Sequence, residues 1–165
     1  FVGIVLHPDA VVVQREVADE HGIVHEYDEE LAGEAMMGGP LMLSWADVLP
    51  QMGSEPAPSA YNVVIHEFAH MLDLRDGLAD GVPVLGSAAQ RKAWSDVLVP
   101  EYDRFCERVV CGHDTALDPY AAEAPDEFFA VASEAFFVTP AALGDEHPAM
   151  YRLLAAYYRQ DPARY

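Results

Sequence analysis

Cysteine is nearly missing from this sequence, and positive charge is scarce. Only Cys106 and Cys111 are present, five positions apart in a segment patterned as a helix, so their side chains point in different directions and no C-x-x-C pair exists. That excludes a disulfide scaffold and a thiolate metal site, and it favours a reducing, cytoplasmic setting. Lys and Arg number 9 against 28 Asp and Glu, a formal net charge of −19. Such a field repels phosphate, which excludes direct nucleic-acid binding and docking on an anionic membrane, and suits a cationic partner or a metal ion. Long apolar runs are also lacking, and Phe1–Leu6 has no basic flank, so neither a membrane span nor a signal peptide is readable. There are no internal repeats and no low-complexity stretch.

What is present fits one globular domain over residues 1–165: the chain is 52% hydrophobic, enough for a sizeable core. The first part alternates short extended pieces, Val2–Leu6, Val11–Val13, Gly22–Glu26 and Pro40–Trp45, with Pro, Gly and Asp, and predicts a small, mostly antiparallel sheet. Between Glu16 and Glu34 the acidic load is heavy, and without calcium-loop spacing it reads as a solvated face or loop. The stretch Gly38–Trp45 is either a core strand or an edge able to pair with an extended peptide. Later segments predict helices. Ser87 with Gln90 forms a capping box for one starting near Ala88, which Pro100 should kink or divide before Gly112 ends it. Another runs from Pro125 to about Val138, where Pro140 stops it, and a last from Pro148 to about Arg159. The fold class is therefore α+β, with an N-terminal sheet packed on a helical half.

The chemistry is concentrated in His66-Glu67-Phe68-Ala69-His70, inside the apolar run Tyr61–Leu72. On a helix, residues i and i+4 share a face, so both imidazoles can address one metal ion. Glu67 lies beside that pair but is rotated off it, as a general base acting on a metal-bound water must be. A run this apolar predicts a buried helix, where unpaired imidazoles and a carboxylate would be costly. Ser59 is a candidate N-cap, and Arg75 with Gly77 a candidate C-terminal end.

Catalytic zinc needs a third protein ligand, and two positions compete for the role. Asp76 could return to the ion only if the helix broke early, but Asp73 stands where a glycine would be needed. Glu127, in the first turn after Pro125, shares a face with Val131 and Glu134, among phenylalanines where a carboxylate needs a cation. It is otherwise an N-terminal carboxylate that the helix dipole favours. Glu134 reads either as a residue orienting a histidine or as a solvent-facing one.

These residues, with Asp118-Pro119-Tyr120-Ala121 and Pro125–Phe137, carry a resemblance to the Mlc titration factor A family. Its members are cytoplasmic bacterial zinc metallopeptidases of the gluzincin type, related to the catalytic domain of anthrax lethal factor. The resemblance extends through Gln160-Asp161-Pro162 and implies a zincin-like domain whose family segment ahead of Phe1 is absent. It implies Zn2+ held by His66, His70 and Glu127, Glu67 as general base, and Tyr120 as a donor to the oxyanion. Some gluzincins carry an acid four residues after the ligand Glu; here that position is Val131, which leaves Asp73 and Glu134 to support the ligands. Implied with these are an aminopeptidase-like activity on a peptide substrate and, as the alternative role, sequestration of a transcriptional repressor of sugar uptake.

Overall fold

The computed structural model describes residues 2–18, 23–52 and 60–164. Among the described residues five strands precede Trp45: β1 (Ile4–His7), β2 (Val11–Ala18), β3 (Val24–Leu31), β4 (Gly33–Ala35) and β5 (Leu41–Ser44). They form two sheets rather than one. β2 and β3 make an antiparallel ribbon in register from Val11↔Leu31 to Ala18↔Val24. In the other sheet β5 is central, parallel to β1 and antiparallel to β4. Leu41 and Leu43 are buried, so the Gly38–Trp45 stretch is a core strand. The edges of this sheet are β1 and β4, the latter too short to show a pattern in the sequence.

Asp19 and Glu20 lie outside the described residues; the rest of the acidic stretch falls on β2, β3 and β4. Most of β3 faces solvent, as a charged face should. Arg15 on β2 bonds both Glu29 and Glu34 at 2.8 Å, tying the ribbon to β4.

After the short helix α1 (Trp45–Val48) come α2 (Val63–Asp73), α3 (Ala88–Val110), α4 (Pro125–Val138), α5 (Pro140–Glu146) and α6 (Pro148–Tyr158). Two differences from the sequence reading concern proline. Pro100 does not divide α3, which is continuous through it. The residue is exposed, so water can take the carbonyl its ring leaves unpaired, while Trp94, Leu98, Glu101 and Phe105 bury the opposite side. Pro140, read as a stop, is also a start: it occupies the first position of α5, where a missing N–H costs nothing. Ser87 caps α3 as expected, its Oγ accepting from the Gln90 N–H at 3.2 Å, and its hydroxyl donates to Gln90 Oε1 at 3.3 Å, in place of the backbone half of a capping box.

The main core lies among α3, α4 and α6. Phe128, Phe129 and Phe136 of α4 are fully buried. Edge-to-face packing joins Phe129 to Trp94, with ring centroids 5.7 Å apart. A second, smaller cluster consists of Leu41, Leu43, Val48 and Val63. The helix α2 belongs to both: Val63 lies in the small cluster and Ala69 in the large one. It is less buried than its apolar sequence predicts, with Phe68 at 39% exposure. Cys106 is half-buried and Cys111 exposed, and both are free thiols. Among the described residues no helix is long and apolar enough to cross a membrane.

Candidate metal centre and active site

The helix α2 is started by Asn62, whose side-chain oxygen accepts from the Ile65 N–H at 3.1 Å. Ser59, the cap read from the sequence, lies outside the described residues. The other end tightens into a turn over Leu74–Asp76 and stops at Gly77, whose φ of 90° is the left-handed conformation that glycine adopts freely. With both ends fixed, His66 and His70 stand one turn apart, their Nε2 atoms separated by 3.1 Å.

Glu127 comes to the same point from α4, which packs along α2. Its Oε2 lies 3.1 Å from His66 Nε2 and 3.4 Å from His70 Nε2. In a tetrahedral zinc site with bonds of about 2.0–2.1 Å, donor atoms are about 3.3–3.4 Å apart. The triangle therefore has the size of one face of such a site. Glu127 Oε2 is buried and makes no well-formed hydrogen bond despite its proximity to both rings, so these donors fit a shared cation. Among the described residues this is the one cluster of His, Cys, Asp or Glu able to hold a metal ion. Asp76 is turned elsewhere, bonded to Arg91 at 2.6 Å.

The ring of His66 is fixed from behind. Glu134, buried in the middle of α4, accepts from Nδ1 at 2.8 Å, and its second oxygen takes the backbone N–H of Asn62. A carboxylate on Nδ1–H leaves Nε2 free to donate its lone pair toward Glu127 and His70. This settles the two readings of Glu134: it does not face solvent. Asp73, the other candidate for such support, instead accepts the Gly81 N–H at 2.9 Å. It anchors the loop after α2, and burial lifts its carboxyl to about 6.

Charge within the cluster is strongly displaced. Burial works against a charged His66, yet Glu127 and Glu134 outweigh it and raise the imidazole to about 10. Burial likewise pushes Glu127 up, but the two imidazoles prevail and hold its carboxyl at about 2. Without a metal ion the protonated His66 ring is thus the cation between the two carboxylates, and a metal bound by Nε2 would take the place of that proton.

Glu67 is 7% exposed. Its carboxyl is raised, chiefly by burial and against the pull of the two histidines, while a backbone hydrogen bond from Ala35 favours the charged form. Tyr120 sits in a turn over Pro119–Ala122 that Asp118 caps by accepting the Tyr120 N–H at 2.9 Å. Its ring centroid is 6.2 Å from that of His66. Burial raises the phenol's pKa, as do the charges of Glu127 and Glu123 and a hydrogen bond to Glu127. His66, Glu67 and Tyr120 all line a cleft of about 710 Å3, walled by the Glu29–Gly33 segment on one side and Thr115–Tyr120 on the other.

Sequence reasoning singled out the clustered histidines and glutamates. It missed Asn62, whose asparagine just before the apolar run was a readable cap signal, and Gly33, for which no local pattern exists.

Comparison with known proteins gives a consistent result. The family described as glucose-regulated metallo-peptidase M90 matches residues 1–159. Mlc titration factor A from Edwardsiella ictaluri is 38% identical over 165 residues, covering 98% of this chain and 61% of that protein. Its counterpart from Pectobacterium atrosepticum is 36% identical, with 98% and 60% covered. An uncharacterized protein from Synechocystis is 35% identical over 160 residues, covering 96% of this chain and 58% of that one. The chain thus spans about three fifths of the length of these relatives.

Proposed function

The chain belongs to the glucose-regulated metallo-peptidase M90 family, and from there we propose that residues 1–165 form a zincin-like, gluzincin-type catalytic domain that hydrolyses peptide bonds with Zn2+. His66, His70 and Glu127 hold the ion. The observation that carries this is the triangle of their donor atoms, 3.1, 3.1 and 3.4 Å on its sides. Bound there, zinc supplies Lewis acidity, making water a nucleophile near neutral pH and polarising the scissile carbonyl.

The chain's own residues do the rest. Glu67 takes a proton from the attacking water and returns it to the leaving amine, a role that its burial suits by raising its basicity. Tyr120 keeps its proton, since burial and neighbouring carboxylates raise its pKa, and so can donate a hydrogen bond to the developing oxyanion. Glu134 holds the His66 tautomer. The cleft positions an extended peptide, which can align along β4. Glu30 is on its wall, beside a Glu29 already paired with Arg15, and no lysine or arginine is among the described residues that line it, which suits a free α-amine and an aminopeptidase-like mode. The free thiols suit a cytoplasmic location.

Replacing Glu67 by Gln should leave zinc content unchanged and lower kcat by about 10²–10⁴. Unaltered cleavage by that variant would contradict the assignment.

A second reading is favoured by the net charge of −19 and by relatives named Mlc titration factor A. In it the chain binds a transcriptional repressor of sugar uptake, its acidic surface engaging a basic, DNA-binding face. Pull-down of such a repressor with Glu67→Gln and with zinc-stripped protein separates the two. Capture undiminished in both supports a binding surface independent of the chemistry, whereas capture lost with zinc places the partner at the cleft.

A further inference from the structure

The general base is seated against a strand that the sequence does not advertise. β4 has three residues, Gly33, Glu34 and Ala35, and α2 packs directly against it. A Cβ built on Gly33 would lie 2.6 Å from Glu67 Cγ, and 2.9 Å from both Cδ and Oε1. Real methyl groups essentially never come so close to carbon, so the side chain of Glu67 occupies the volume that any other residue at position 33 would claim. Two residues along the strand, the Ala35 backbone hydrogen-bonds the same carboxylate. The strand's far side is fixed by pairing with β5, Gly33 opposite Leu43 and Ala35 opposite Leu41.

The backbone of Gly33 gives no reason of its own for glycine. It is not among the residues with positive φ, and glycine within a strand is otherwise a cost, because it orders a flexible residue and packs no side chain. Another residue would give a stronger strand. What glycine supplies here is room.

We propose that Gly33 is a positioning residue for the peptidase reaction: by presenting no side chain it lets the Glu67 carboxylate lie flat on β4, beside the metal-binding triangle and open to the cleft. This rests on Glu67 being the general base. With alanine at 33 the cheapest response is rotation of the flexible Glu67 side chain, since the alternative is to move a strand paired to β5. Rotation takes the carboxylate from the Ala35 bond and from its place next to His66, while neither imidazole nor Glu127 needs to shift.

Two measurements on the whole chain test this. Gly33→Ala should bind zinc with unchanged stoichiometry, keep KM for a peptide substrate within about threefold and lose about 100-fold in kcat, the scale on which a misplaced catalytic group costs rate. The thermal unfolding midpoint gives a readout independent of turnover. In the presence of Glu67 the substitution should lower it by roughly 2–8 °C, through overpacking. In a Glu67→Ala background, where Cγ and the carboxylate are gone, the same substitution should raise it by roughly 1–4 °C, as alanine for glycine does at an unstrained site. A full kcat in Gly33→Ala, or an equal fall of the midpoint in both backgrounds, would overturn the proposal. Persistence of turnover in Glu67→Gln would instead refute the general-base assignment, and it would leave the midpoint reversal as evidence of packing alone.

Discussion

The two halves of this molecule are built to different standards. In the helical half, α4 is buried without a break from Phe128 to Phe136, and aromatic rings from α3 and α6 interlock with its own. In the strand half, the core is four residues, while Val12, Val17, Val24 and Tyr27 of the ribbon stand about half exposed or more. The candidate centre sits on the seam. His66, His70, Glu127 and Glu134 come from the well-packed side, which can hold ligand atoms to a fraction of an ångström. The thin side supplies β4 and the Glu29–Gly33 wall, where a peptide would lie. Rigidity is thus placed where a metal would need fixed geometry, and the lightly packed region borders the cleft.

That contrast can be broken by mutation, and the largest effect should come from the helical core. Phe136→Ala removes a fully buried ring and should cost about 3–5 kcal/mol in urea or thermal unfolding. A loss under about 1 kcal/mol would mean that the tight half is not tight.

The seam itself can be tested through Asp73. Its carboxyl rises from 3.8 to about 6 in the folded protein because it is buried, with one oxygen lacking any hydrogen bond. Between those two values the folded chain binds a proton that the unfolded chain has released. The corresponding stability is therefore present below about pH 4 and lost as pH rises to about 6. In metal-free protein, stability should fall over this interval by up to about 3 kcal/mol more for the wild type than for Asp73→Asn. Parallel curves would show that the carboxyl is not held neutral by its surroundings.

Chelation should separate the halves by their hydrogen exchange. An ion bound only by folded protein, at about a hundred times its Kd, adds about 2.7 kcal/mol. Removing it should speed amide exchange in α2 and α4 far more than in the β2–β3 ribbon. Uniform acceleration in both would place the ion elsewhere. Glu134→Gln should weaken zinc binding about 10- to 100-fold, since the His66 tautomer is no longer enforced, and a titration of zinc affinity would measure it. The smallest effect belongs to the ribbon: Val12→Thr, at a residue 62% exposed, should change stability by less than about 0.5 kcal/mol.

The same contrast decided what could be read in the sequence. In α4, proline at the start, phenylalanines within and carboxylates spaced i and i+7 specify the helix and put Glu127 and Glu134 on one face, but leave open whether Glu134 on that face meets a histidine or solvent. The pair His66 and His70 is equally legible, because four residues on a helix is a fixed distance. Legibility fails where structure depends on pairing at long range. β4 is three residues whose only reason to be extended is β5, and Gly33 matters through a residue 34 positions away. Proline misled at Pro100 and was read only in part at Pro140, where the preceding helix does end: its local effect is clear, but whether it divides or starts a helix depends on what packs around it. Pro100 lies on the exposed side of a helix anchored by Trp94 and Phe105, and Pro140 turns the chain from one helix directly into the next.

X-ray absorption at the zinc edge, on protein loaded with one equivalent of metal, tests the centre most directly. Two imidazole nitrogens and carboxylate or water oxygens at about 2.0–2.2 Å, in four- or five-fold coordination, are the expected result, with the imidazole signal halved in His70→Ala. A sulfur shell at about 2.3 Å, six-fold oxygen coordination, or a spectrum indifferent to His70 would show that the ion does not reside between α2 and α4.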